Sequence, residues 1–282
     1  MQRPGRLGGR TCLIVGGTSG IGLAAARRFL AEGARVVVAG RSSDAGRVAH
    51  EQLAVLGPVW EYALELGLGE SEVRPLFEFA LEALRGRLDI LLHVAGISGR
   101  KLGDGPLHEC ATEGWEHVMR INALGVFLTN RAAVQHMLRQ SLDPGGLRGT
   151  VVNVGSVLDR SPAPEHFATI AYAASKGAVR ALTLSAAARY APDKIRFNLV
   201  VPGLIDTPMA ARAVSDRQIR PYLTARQPLA DGPGSAEDVA EAALYLCEPA
   251  ARFVTGAELV VDGGWCVSEG LGSAHAPTEA GP

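Results

Sequence analysis

The chain has 282 residues, 47% of them apolar and 20% charged, with 28 basic against 29 acidic side chains for a formal net charge of −1. That apolar content excludes disorder over most of the length and suffices for one large core. The even charge leaves no broad positive field for nucleic acid or an anionic membrane.

No apolar stretch approaches a membrane span or a secretory signal. Four widely spaced cysteines (Cys12, Cys110, Cys247, Cys266) without CxxC spacing argue against a zinc site or a disulfide framework, so no metal is expected. Reduced thiols point to a cytoplasmic protein. Taken in chain order, residues 11–15 read as an apolar strand followed by a glycine-rich turn. A helix follows at 21–31, with Leu23, Ala26, Phe29 and Leu30 at helical spacing, and Glu32-Gly33 stops it. The valines of 35–39 suit a parallel strand covered on both faces. Helices at 47–56, 70–84, 112–139, 171–190 and 236–246 then alternate with strands at 60–64, 89–93, 150–154, 195–201 and 258–261. Strands separated by helices of ten or more residues mean βαβ units. The fold expected is α/β, a single doubly wound parallel sheet flanked by helices. Its domain spans 10–268, between an N-terminal extension (1–9) and a small polar tail (269–282). The long irregular stretch 203–234 reads as a functional loop.

The first strand runs into Val15-Gly16-Gly17-Thr18-Ser19-Gly20-Ile21-Gly22, which opens a helix. Glycines there let the backbone approach a pyrophosphate, and the free amides at the helix start face the anion. The second strand ends Val38-Ala39-Gly40-Arg41-Ser42. It has no carboxylate for a ribose 2′-hydroxyl, and Arg41 offers a charged fork for a 2′-phosphate. The expected cofactor is therefore NADP(H) in preference to NAD(H). Tyr172 and Lys176 lie four apart on a helical pattern and share a face. The lysine ammonium is expected to lower the phenol's pKa so that it exchanges a proton with a carbonyl or alcohol.

With Gly155-Ser156 sixteen residues before Tyr172, Asn122 in Ile121-Asn122-Ala123, and Ala95-Gly96 after a strand, the sequence resembles the short-chain dehydrogenase/reductase family. Pro202-Gly203 before Thr207-Pro208-Met209, and Thr255-Gly256 before Asp262-Gly263-Gly264, extend the resemblance over most of the chain. It implies a single-domain Rossmann-like fold and an interconversion of ketone and secondary alcohol. Tyr172 would be the acid/base and Ser156 the holder of the substrate oxygen. Lys176 would tune the phenol and bind the nicotinamide ribose, and Asn122 would position a relay water. The implied cofactor residues are Gly16, Thr18, Ser19, Gly20, Ile21, Gly22, Arg41, Ser42, Glu65, Leu66, Ala95, Gly96, Tyr172, Lys176, Pro202, Gly203, Ile205 and Thr207. It also implies a homotetramer or homodimer through the long helices.

Three departures stand out: His93-Val94 replaces an amide pair, Glu65-Leu66 replaces an aspartate near the adenine, and the 157–171 stretch is long. His93 reads first as a core hydrogen bonder, with a ligand or pH-sensitive role as the alternative. Asp159, Arg160 and His166 read as solvated loop residues or substrate contacts. Residues 203–234 would form a substrate flap, with Ala213, Val214, Ile219, Tyr222 and Leu223 as apolar lining. Its arginines 212, 217, 220 and 226 face solvent or an acidic partner such as an acyl carrier protein. The substrate class implied first is a 3-oxoacyl thioester or related small ketone. Cyclic, sugar, steroid and secondary-metabolite alcohols are the alternatives, and a non-catalytic NADP(H)-binding regulator or scaffold is the alternative of another class.

Overall fold

A computed structural model describes residues 5–41, 43–64 and 69–268, so Ser42, Glu65, Leu66 and the 269–282 tail lie outside the described residues. Seven strands form one parallel sheet: β1 (Thr11–Val15), β2 (Arg35–Gly40), β3 (Val59–Ala63), β4 (Ile90–His93), β5 (Gly149–Val154), β6 (Ile195–Pro202) and β7 (Glu258–Val261). Their order is β3-β2-β1-β4-β5-β6-β7. It reverses between β1 and β4, and the crevice beyond the carboxyl ends at such a reversal is where α/β sheets bind ligands.

The central strands β1, β5 and β6 are buried along their whole length, with the polar Asn153, Arg196 and Asn198 hydrogen-bonded inside. One face packs against α1 (Gly20–Ala31), α2 (Ser43–Leu53) and α10 (Ala236–Cys247). Leu7, in the segment before β1, is fully buried in the same layer. The other face packs against α3 (Glu70–Ala83), α5 (Gly125–Met137) and α7 (Ile170–Tyr190). A third cluster lies beneath the short helices α6 (Pro164–Phe167), α8 (Ala211–Ser215) and α9 (Arg220–Arg226).

The helix expected over 112–139 is interrupted. It runs as α4 (Thr112–Met119), a π turn at Arg120–Leu124, then α5. The π turn contains Asn122, and such single turns inside α-helices recur at functional sites.

Candidate active site

Gly16 follows β1 in a left-handed conformation (φ +86°), and its N–H bonds the Ala39 carbonyl at 2.7 Å. A Cβ on Gly16 would lie 2.6 Å from the Ala95 nitrogen, and one on Gly22 only 2.0 Å from the Gly16 carbonyl oxygen. Thr18 packs just as closely on Gly40. The loop after β1 therefore meets the end of β2 and the segment after β4 at the backbone.

The N-cap of α1, Ser19, makes no side-chain cap bond, and Leu23 N–H is the first to find a carbonyl, that of Ser19 at 3.2 Å. The N–H groups of Gly20, Ile21 and Gly22 have no partner among the described residues. Three open donors at the positive end of a twelve-residue helix fit a dinucleotide pyrophosphate. Arg41 is exposed and makes no ion pair among the described residues, which leaves its fork free.

Gly155 carries β5 into Ser156, whose Oγ accepts from Leu158 N at 3.2 Å and starts a short turn at Val157–Asp159. Tyr172 is the third residue of α7, and the Ser156 side chain lies near enough to its phenol to favour the ionised form. Lys176 is buried; its Nζ donates to the Val154 carbonyl at 2.9 Å and lies 5.7 Å from the centre of the Tyr172 ring. Asn122 is fully buried, accepts from Ile97 N at 2.8 Å, and donates to Ile97 O and Ser175 Oγ, both at 3.0 Å. Both amide hydrogens of Asn122 are thereby spent on tying the segment after β4 to α7. Gly96 sits between: a Cβ there would lie 3.2 Å from Asn122 Oδ1 and 3.6 Å from Lys176 Nζ.

Burial holds the Tyr172 phenol above its ordinary value; the Ser156 side chain opposes this and the Asp159 charge adds to it. Burial brings Lys176 itself down to about 8.

Two supports escaped the sequence reading. Thr169, the N-cap of α7, turns its hydroxyl away to Phe167 O. The open amides are met instead by Asp104, in the β4–α4 loop, which accepts from Ala171 N and Tyr172 N, each at 2.9 Å. Gly105 O accepts the Ile170 amide at 3.2 Å. The second support is Asp159, which is neither solvated nor free for substrate. Its carboxylate is almost wholly buried and pairs with Arg180 at 2.9 Å and Arg160 at 3.4 Å, and Arg160 pairs in turn with Glu258. Arg180 follows Tyr172 and Lys176 at steps of four, a spacing visible in the sequence. Asp104 has no such signal.

On the flap, buried Gln227 anchors the base by accepting from Leu204 N and donating to Leu204 O and Gly232 O. A Cβ on Gly203, just after Pro202, would strike its side chain. Ile205 is buried and bridges to Gly234, and the Thr207 side chain packs on Gly20, next to the glycine turn. Of the expected lining, Ala213, Ile219 and Leu223 are internal, packed with buried Trp265, while Val214 and Tyr222 are half-buried. His166, Phe167, Trp265 and Tyr222 form a closed circuit of edge-on rings. His93 is a core residue: Nδ1 lies 2.8 Å from Thr129 Oγ1, and burial brings the ring down to about 3, so it is neutral at physiological pH.

Known proteins resemble the chain over most of its length. The family described as Enoyl-(Acyl carrier protein) reductase matches residues 15–266. The chain is 35% identical to a 2-(R)-hydroxypropyl-CoM dehydrogenase of Xanthobacter autotrophicus, over 91% of this chain and 98% of that protein. It is 36% identical to a cis-4-hydroxycyclohexanecarboxylate dehydrogenase of Sinomonas cyclohexanicum, over 91% and 96%. A solved short-chain type dehydrogenase/reductase from Mycobacterium ulcerans superposes with a TM-score of 0.84 at 30% identity, covering 93% of this chain and 91% of that one.

Proposed function

The chain belongs to the short-chain dehydrogenase/reductase family, and from that premise we propose that it is an NADP(H)-preferring enzyme interconverting a small ketone and its secondary alcohol. The observation that carries the reading is the meeting of Ser156, Tyr172 and Lys176 at the carboxyl end of β5, beside a helix start with three open amides. NADPH, when bound, supplies the hydride. The Tyr172 hydroxyl gives its proton to the carbonyl oxygen, which the Ser156 hydroxyl holds by a hydrogen bond. Lys176 keeps a positive charge one turn below the phenol, and Asn122 fixes the segment after β4 through Ile97. Gly20 to Gly22 would hold the pyrophosphate and Arg41 the 2′-phosphate.

The 3-oxoacyl thioester is the first substrate class of this reading, and the named relatives support small hydroxylated acids and thiol conjugates beside it. Half-exposed Trp115, Leu124 and Phe127 on the α4–α5 helix, with Leu184 on α7, support a homodimer or homotetramer. The test follows loss of reduced-nicotinamide absorbance with NADPH and NADH against a 3-oxoacyl thioester, cyclic, steroid and sugar ketones. NADPH-dependent turnover is expected, falling by about 10²- to 10⁴-fold in Tyr172→Phe. Tighter binding of NADH overturns the cofactor preference. Tight NADPH binding without turnover on any ketone favours the regulator or scaffold.

A further inference from the structure

Three loops leave the carboxyl ends of β4, β5 and β6 and converge on one backbone oxygen. Arg100, in the β4–α4 loop, donates Nη2 to the His166 carbonyl at 2.5 Å, and Arg212, on α8 of the flap, donates Nη2 to the same oxygen at 3.4 Å. His166 itself belongs to α6, in the stretch between Ser156 and Tyr172. Two guanidinium cations thus share one neutral acceptor at the place where the flap meets α6.

Their charges are poorly balanced. No carboxylate lies within 4 Å of Arg100 among the described residues, and the nearest for Arg212 is Asp216, at 3.9 Å. Asp104 is close enough to act on Arg100, but its two oxygens are committed to the amides of Ala171 and Tyr172. Partial burial and the Arg212 charge hold Arg100 below its ordinary value. Arg6, Arg28, Arg131 and Arg180, by contrast, each meet a carboxylate directly. Each guanidinium carries five donors, and most of those on Arg100 and Arg212 are unspent. Planar forks of this kind match the oxygens of a carboxylate, sulfonate or phosphate.

We propose that Arg100 and Arg212 form a recognition site for an oxyanion carried by the substrate, so that the enzyme takes ketones and alcohols bearing a carboxylate, sulfonate or phosphate. The inference rests on the ketone–alcohol reading of Ser156 and Tyr172. An oxyanion bound between the two guanidiniums would offset their mutual repulsion. Because Arg212 is on the flap, it would also draw the flap toward the β4–α4 loop.

Matched pairs test it: 4-oxocyclohexanecarboxylate against its methyl ester, and acetoacetyl-CoA against its N-acetylcysteamine thioester. Calorimetric binding to the NADP⁺-loaded enzyme is measured beside turnover with NADPH, for the wild type, Arg100→Lys, and the Arg100→Gln/Arg212→Gln double variant. The anionic member of at least one pair is expected to bind and react better in the wild type, and the double variant to lose about tenfold or more of that preference. Arg100→Lys keeps the charge without the fork and is expected to fall between. The first pair reports a carboxylate near the ketone and the second a distant phosphate. Anion-selective binding without turnover keeps this site and sinks the reaction. Turnover without anion preference, or a preference that survives the double variant, overturns the site.

Discussion

The two helices that frame the active site begin in opposite ways. At α1, Ser19 withholds its side chain and three amides stay open. At α7, Thr169 also withholds its side chain, yet a carboxylate 67 and 68 residues away in sequence closes the amides of Ala171 and Tyr172. Both ends carry the same partial positive charge. On the function proposed above the first would take a ligand's anion, whereas the second is closed by the protein itself, beside Tyr172.

That contrast is most severely broken at Gly22, where a Cβ would meet the Gly16 carbonyl oxygen at 2.0 Å. Gly22→Ala is expected to weaken NADPH binding by about 100-fold or more, read by fluorescence titration. Binding within a fewfold of wild type would mean that the open amides are not the phosphate site.

Asp104→Ala attacks the other end. Loss of a helix cap costs about 0.5–2 kcal/mol, and kcat is expected to drop by roughly tenfold as Tyr172 loses its fixed start, since small misplacements are costly in rate. The control is Thr11, whose buried hydroxyl is bonded to Asp89 at the amino end of β1, across the sheet from the site. Thr11→Val should lower Tm by a similar amount and leave kcat unchanged. Equal kcat losses in the two variants would reduce Asp104 to a stability residue. Asp104→Asn keeps an acceptor and should recover part of the rate.

The smallest effect is a pH limb. Lys176, brought down by burial to about 8, is charged below that pH and neutral above it. The kcat/KM for ketone reduction, which reports the free enzyme, should be level below about pH 8 and fall above it. NADPH binding at the backbone cradle of α1 should show no matching break. A level profile through pH 10 would remove Lys176 from the proton chemistry.

Local spacing explains what was legible beforehand. The glycine turn and the Tyr172/Lys176 pair are each contained in one turn of chain, so the sequence displays them directly. Asp104, Arg100 and Arg212 act on backbone groups far away in sequence, and no local pattern marks them. The π turn was hidden for another reason: one extra residue in a mostly apolar helix leaves the periodicity nearly unchanged, although it sets the position of Asn122. Spacing puts Tyr172 and Lys176 on one face but does not show the Val154 carbonyl that Lys176 meets. Asp159 was misjudged because its partner Arg180 lies on another element.

The ring circuit at the flap makes the protein its own optical gauge. Trp265 is buried, edge-on to Phe167 and Tyr222, with the Arg226 guanidinium 5.4 Å from its ring. Trp60 is half-buried and Trp115 partly exposed. With those two indoles replaced by phenylalanine, the remaining emission would come from the one that touches α6 and the flap together. Its wavelength and yield would follow the flap in real time as ligand enters, without an attached dye.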